Sequence, residues 1–289
     1  MSNSLFPITK ILKISLSKKI KFLSRAIFFS KNYDSIFKIL NQDKFKTIIE
    51  TNPNIYLKPL RAYLFCNIKT AEKFDYLESH YKFLEEKFPK KTIDKIYGSD
   101  DTLIYENKLS QNHHIELFLC MINSLGKEGE LTLLLKLNSN DIYSVQFSFY
   151  KDSLIICGIQ SRSTTTTEEL KELTKKMHGL RPRNLMFFAI RQICEAFFIK
   201  EIKAIDSSNH VANCSRVKNT GKFKADYDTY WEEERATKNG DFYIIPLIEQ
   251  RKTMEEISSN KRSMYKKRFE LLDNMKDIIK ENLTNLISR

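Results

Sequence analysis

The chain of 289 residues carries 42% hydrophobic and 29% charged residues with only 7 glycines and 6 prolines, a balance that supports a full core and excludes collagen-like repeats, low-complexity linkers and wholesale disorder. Its 48 Lys and Arg against 36 Asp and Glu leave a formal charge of +12, which favours anionic partners such as phosphate esters, nucleic acid or an acidic membrane face. Lysine outnumbers arginine about three to one, so AT-rich coding is a competing source of that excess.

Residues 10–31 hold Lys10, Lys13, Lys18, Lys19, Lys21, Arg25 and Lys31 and no acid, while Leu12, Leu16, Ile20, Leu23 and Ile27 recur at helical spacing. This predicts a basic amphipathic helix. Such a helix either lies on an anionic membrane with its lysines among the headgroups, or packs on its own domain. From Tyr33 to about Phe88 the period stays helical, with Pro53 as a break and Leu57 to Leu64 as a further segment, so residues 1–95 are read as a helical N-terminal region. After Gly98 the period becomes that of strands, at Thr102–Leu109, His114–Ile122, Leu131–Leu137, Tyr143–Tyr150 and Leu154–Ile159. The short turns between them favour an antiparallel meander, because parallel neighbours need long crossovers.

Thr165 and Thr166, each followed three residues later by Glu168 and Glu169, form an overlapping capping box for a helix to about Met177. Gly179 ends it, and Pro182 opens a second helix to about Phe198 that is apolar nearly all round and therefore central and buried. Strands at Ile202–Ile205 and Phe242–Ile245 follow, and the last 35 or so residues read as an amphipathic helix. Lys261, Arg262, Lys266, Lys267 and Arg268 crowd the start of that helix, where the macrodipole disfavours them, so an anionic partner or a solvated face must compensate. The fold class is α+β, with a mainly antiparallel core over 96–250 and C-terminal helices over 251–289 packing on it.

The stretch His178-Gly179-Leu180-Arg181-Pro182-Arg183-Asn184 stands before the buried helix. A helix N-terminus offers free N–H groups, glycine permits close backbone approach, and arginine forks suit phosphate, which makes Gly179, Arg181, Arg183 and Asn184 a candidate anion site. The competing reading is a glycine C-cap and a proline N1 with incidental arginines. A meander running into such a helix and then a strand resembles the GNAT-type acyltransferase core. That resemblance implies a coenzyme A or acyl carrier protein thioester as cosubstrate, its pyrophosphate at this helix start, with no tightly bound cofactor. The sequence departs from the pattern in two ways: a helix from about Thr166 to Met177 precedes the loop, and the loop's repeated glycines are missing.

For the proton transfer that such chemistry needs, the candidates are His210, Asp228 and Glu232, the last two flanking Trp231 beside Glu233. His210 could equally be a loop histidine, and the carboxylates could pair with Lys222, Lys224 or the basic C-terminal helix. Cys66, Cys120, Cys157, Cys194 and Cys214 show no C-x-x-C spacing and sit mostly in apolar runs, so they read as small buried hydrophobes in a reducing compartment. The five histidines lack zinc-ligand spacing and no metal is expected. No secretory leader and no apolar run of about 20 residues is visible, which points to a cytoplasmic protein with peripheral contact at the inner membrane left open. Nucleic-acid binding would rest on net charge alone.

Gly158-Ile159-Gln160, Thr174-Lys175, His178 to Pro182, Asn209-His210, Arg216, Ala225 to Asp228, Tyr230-Trp231-Glu232, Pro246, Lys261-Arg262, Tyr265 and Arg268 follow one another in an order similar to that of the VirK/YbjX family, over about residues 100–275. The resemblance implies a bacterial protein linked to virulence, envelope properties and tolerance of cationic antimicrobial peptides, without naming a reaction. The sequence departs from the family's pattern at two places: Ser161 follows Gln160 where relatives tend to have glycine, and Glu232, Glu233 and Glu234 follow Trp231 where a glycine-containing turn is usual. Two expectations follow: an acyltransferase, or a non-enzymatic peripheral inner-membrane adaptor in envelope remodelling.

Overall fold

The described residues up to Gly98 are mainly helical, as their apolar period requires, but in short pieces. In the computed structural model, which describes residues 4–98, 102–162, 165–214 and 225–288, they form α1 (Leu5–Ile11), α2 (Leu16–Ala26), α3 (Ser30–Leu40), α4 (Lys46–Thr51), α5 (Thr70–Lys87) and α6 (Lys90–Tyr97). The single helix expected across 10–31 is broken, with Leu12 and Ser15 extended. Ile8 and Leu12 turn into the core, and α2 starts afresh on a new axis. The Leu57–Leu64 segment forms only a short 3₁₀ turn, Ile55–Leu60, with Pro59 inside it; proline has no N–H to continue an α-helical ladder.

Strands β1 (Thr102–Ser110), β2 (His113–Cys120), β3 (Leu131–Leu137), β4 (Asn140–Tyr150) and β5 (Ser153–Ser161) pair with their sequence neighbours, all antiparallel. Then come α7 (Thr167–Lys176), α8 (Pro182–Ala196), β6 (Glu201–Ile205), α9 (Tyr227–Glu233), β7 (Thr237–Asn239), β8 (Phe242–Ile245) and α10 (Ser259–Ile287). The sheet order is β1-β2-β3-β4-β5-β6-β8-β7, and β5 with β6 is its parallel pair. The capping box closes on Thr166, whose hydroxyl accepts from the Glu169 amide. Strand β7 escaped sequence reading because all three of its residues are exposed and carry no apolar alternation.

Strands β4 and β5 are buried on both faces, with α5 packed on β4, and α8 on β3 and β4. Twelve of the fifteen α8 residues are buried, including Arg183 and Arg191. The buried carboxylate of Glu130 ties the helical region to the sheet: it accepts from Tyr63 (2.7 Å) and Tyr81 (2.6 Å) and pairs with Lys58. Beside it, His80 accepts from the Phe149 amide at Nδ1 and meets the Tyr97 hydroxyl at Nε2, both near 3 Å.

Strands β5 and β6 stay paired only from Ser153↔Glu201 to Ile156↔Ala204. A bulge opposite Gln146 and Phe147 then turns β5 away. The Tyr227 hydroxyl fills the gap, accepting from the Ile159 amide at 2.7 Å and donating to its carbonyl at 3.0 Å.

Candidate functional site

The turn between α7 and α8 is tight. His178 and Gly179 both have positive φ (54° and 75°), the left-handed region in which glycine meets no steric penalty. The His178, Gly179 and Leu180 amides bond back to Lys175, Thr174 and Met177 carbonyls. The backbone donors expected to cradle an anion here are therefore engaged in ending α7. Gly179 serves a different approach: a Cβ at this position would lie 2.6 Å from Nη2 of Arg268. Arg268 reaches in from α10 and donates Nε and Nη2 to the His178 carbonyl at 3.0 and 2.9 Å. The other cations of that basic start, Lys261, Arg262, Lys266 and Lys267, are exposed, so a solvated face compensates for them.

Helix α8 has Arg181 as N-cap, Pro182 at its first turn and no side-chain cap, which leaves its positive end facing outward. Arg181 is 63% exposed and holds Glu233 by one Nη1 bond of 3.3 Å. Arg183 is largely buried, donates to the same Glu233 oxygen and stacks on the Tyr230 ring at 4.1 Å. Asn184 donates to Glu234 (2.8 Å), whose other oxygen takes Nη2 of the buried Arg191 at 2.8 Å. Glu233 and Glu234 are thus the counter-charges of this helix start.

In front of it opens a cleft of about 450 Å³, lined by Arg181, Arg191, Arg235, Arg251, Lys252 and Arg268 and by Glu233, Glu234 and Glu249; Arg251 also pairs with Asp273, outside the lining, at 2.7 Å. Gly179 and Asn184 line it and Arg183 does not. A neighbouring hollow of about 580 Å³ shares Arg191, Ile248, Glu249 and Arg251 and adds Phe188, Ile199 and Leu247. The cleft can hold a polyanion: guanidinium forks at a helix N-terminus supply directed donors, and the surplus positive charge adds a long-range field.

None of His210, Asp228 and Glu232 lines this cleft. His210 is buried after β6, its Nδ1 accepting from the Ala212 amide at 3.2 Å and its Nε2 lying 3.7 Å from a Glu128 oxygen. Asp228 accepts from the Ser207 amide (3.1 Å) and the Tyr243 hydroxyl (2.9 Å). Burial raises its pKa, but those hydrogen bonds and the Lys238 charge outweigh it, and the net shift is downward. Glu232 is exposed. Lys222 and Lys224, considered as partners for these acids, lie outside the described residues. Helix α9 spans the two places: Glu233 holds the arginines, while Tyr227 packs edge-on against His210 at 5.5 Å.

Beside His210 lies a cluster that sequence reasoning missed. Gln146 is fully buried, and neither of its amide atoms has a hydrogen-bond partner among the described residues. A Cβ on Gly158 would collide with the Glu128 carboxylate and the Gln146 amide oxygen, so glycine is required for them to meet. The one sequence signal was Gly158 itself, which β-sheet propensity disfavours in mid-strand. Cys120, Cys157 and Cys194 are buried as expected, whereas Cys66 and Cys214 are partly exposed. Burial, and then the neighbouring Cys214 thiol, push the Cys66 thiol up to about 12, which favours its protonated form.

A family model described as a protein of unknown function (DUF535) matches residues 13–281. The chain is 25% identical over 263 residues to the uncharacterized protein YbjX of Escherichia coli, spanning 88% of this chain and 79% of that one. Two uncharacterized proteins of Haemophilus influenzae are similar as well, one 26% identical over 73% of this chain and 72% of its own, the other 30% identical over 63% of each. No solved structure matches.

Proposed function

Since the chain belongs to the DUF535 family, the family of YbjX, we propose from its geometry that it is an acyl-transfer protein with a GNAT-like core. The cleft at the start of α8 holds the phosphate-bearing end of its acyl carrier, coenzyme A or acyl carrier protein. The observation that carries this reading is the open, net-positive cleft set against an uncapped helix N-terminus. The meander that passes through a buried helix to one parallel strand, and the parting of β5 from β6 beyond Ile156, support the same reading.

In this reading Arg181 and Arg268 grip phosphate oxygens, and Arg235, Arg251 and Lys252 supply the surrounding field. Arg183, held by Glu233 and Tyr230, fixes the orientation of the carboxylate that aligns Arg181. His210 with Glu128, or the exposed Glu232, takes the proton from the attacking amine or hydroxyl as its bond to the acyl carbon forms; the carbon–sulfur bond breaks, and the departing thiolate takes that proton back to leave as the thiol. Asp228, whose pKa is lowered, is a positioning group that holds Ser207 and Tyr243. An envelope component or protein amine is the acceptor that the family resemblance suggests.

Titration with coenzyme A and a thiol-release assay on acyl-coenzyme A and acyl carrier protein test the proposal. Each charge-assisted contact to a phosphate oxygen contributes about 1.5–3 kcal/mol, so Arg181→Ala/Arg183→Ala is expected to weaken binding at least tenfold and to abolish release. Wild-type protein that neither binds nor releases overturns the reading. Binding without release would leave a carrier-binding protein in place of an enzyme.

A further inference from the structure

Helix α2 carries two apolar faces, and only one of them is used. Phe22 and Ala26 are buried, Phe22 packs edge-on against Tyr33 at 5.3 Å, and Arg25 donates to the Leu60 carbonyl at 2.8 Å. The helix is therefore firmly seated. Leu16, Ile20, Leu23 and Ile27, at steps of four, three and four, fall within about 60° of one another on a 3.6-residue helix, and they point to solvent. They are 38–73% exposed, and Phe28 at the helix end is 82% exposed. Of the ten large hydrophobics exposed among the described residues, six lie between Phe6 and Phe28.

The charge around this stripe is of one sign. Seven Lys and Arg and no Asp or Glu occur before Asp34, and Lys18, Lys21 and Arg25 lie on the side of α2 away from the stripe, all exposed. A second copy of the chain laid on the stripe would bring two unopposed basic segments together, a repulsive arrangement for a self-complementary interface. An anionic lipid surface satisfies both features, burying the stripe at the acyl boundary and neutralising the lysines. No helix among the described residues is long and apolar enough to cross a membrane, so the contact is one of lying on the surface.

We propose that α2 docks the protein on an anionic bilayer through Leu16, Ile20, Leu23 and Ile27, with Phe28 inserted beside them. The test is flotation of the full chain with phosphatidylcholine vesicles that contain or lack phosphatidylglycerol. Wild-type protein is expected to float with the anionic vesicles and to be released by salt, because exposed charges are screened beyond about 10 Å at 0.1 M. Ile20→Asp/Ile27→Asp, at sites already facing water, is expected to lower the bound fraction roughly tenfold with unchanged circular dichroism. Lys18→Gln/Lys21→Gln should weaken binding less and reduce its salt dependence. Absence of flotation with either vesicle, or flotation unaffected by Ile20→Asp/Ile27→Asp, overturns the proposal. So does a concentration-dependent dimer, seen by light scattering, that the same double variant abolishes. Because α2 contributes nothing to the α8 cleft, failure here leaves the carrier-binding reading standing.

Discussion

The start of α8 and helix α2 are both basic in sequence, yet the fold treats them in opposite ways. At α8 the arginines are matched by carboxylates and two of them, Arg183 and Arg191, are drawn inward: the Arg191 and Glu234 side chains are each only 7% exposed, and Arg183 shares Glu233 with the exposed Arg181. On α2 the lysines stay in water and it is the leucines and isoleucines that lack partners. The difference teaches that a run of positive charge is a binding feature in two distinct senses. Where guanidinium groups are fixed by carboxylates they form a shaped receptor; where ammonium groups are left free beside an apolar stripe they form a surface that suits an extended anionic partner.

The largest effect should come from breaking the buried end of that contrast. Glu234→Ala strands the Arg191 guanidinium inside the protein, which costs about 3–5 kcal/mol for a buried pair; thermal or urea unfolding would register it, and a loss under 1 kcal/mol on the same scale would mean that water reaches the pair. Next in size is a pH effect on the buried side. Burial first, and then the Lys58 charge, hold the His80 imidazole well below its ordinary value of 6.5. The unfolded chain therefore takes up a proton below pH 6.5 that the native state refuses. Stability is full above that pH and falls as the pH drops, by up to about 1.4 kcal/mol per unit. Urea midpoints at neutral and mildly acid pH would follow this, and a flat profile would contradict it.

Glu233→Gln sharpens the receptor side. Glutamine keeps an amide oxygen that can align Arg181 but removes the negative charge that competes for the Arg181 and Arg183 forks, so affinity for coenzyme A should rise by about tenfold, or ~1.4 kcal/mol, as read by calorimetry. The smallest effect is expected on α2: Lys18→Gln/Lys21→Gln should shift unfolding by no more than about 0.5 kcal/mol, since neither lysine has a carboxylate partner among the described residues. A larger loss would show that these lysines support the fold and would remove the contrast.

Much of the architecture was legible because apolar periodicity is a local property. The five-strand meander, the capping box at Thr166, the glycine stop at Gly179 and the buried helix that follows Pro182 all sit within three residues of where the pattern put them. Helix α9 was not read as a helix, because Tyr227 to Glu233 is short and its Trp231 and Tyr227 face a partner far off in the chain. Gly179, Arg181 and Asn184 do share one cleft, as their adjacency suggested. Of its other cations, Arg191 lies on the same helix, whereas Arg235, Arg251, Lys252 and Arg268 come from segments 50 to 90 residues away.

By itself, then, the sequence determined the class of fold and the order of most of its elements, which follow from spacing along the chain, while its ordered blocks resembled the family to which it belongs. Only the tertiary structure decided which charges are paired, that the Gly179 turn is approached by Arg268, that His210 lies beside Glu128 apart from the cleft, and that the apolar stripe of α2 faces outward. Those outcomes depend on contacts between distant segments, and a charge or a methyl group carries no local mark of what will be folded against it.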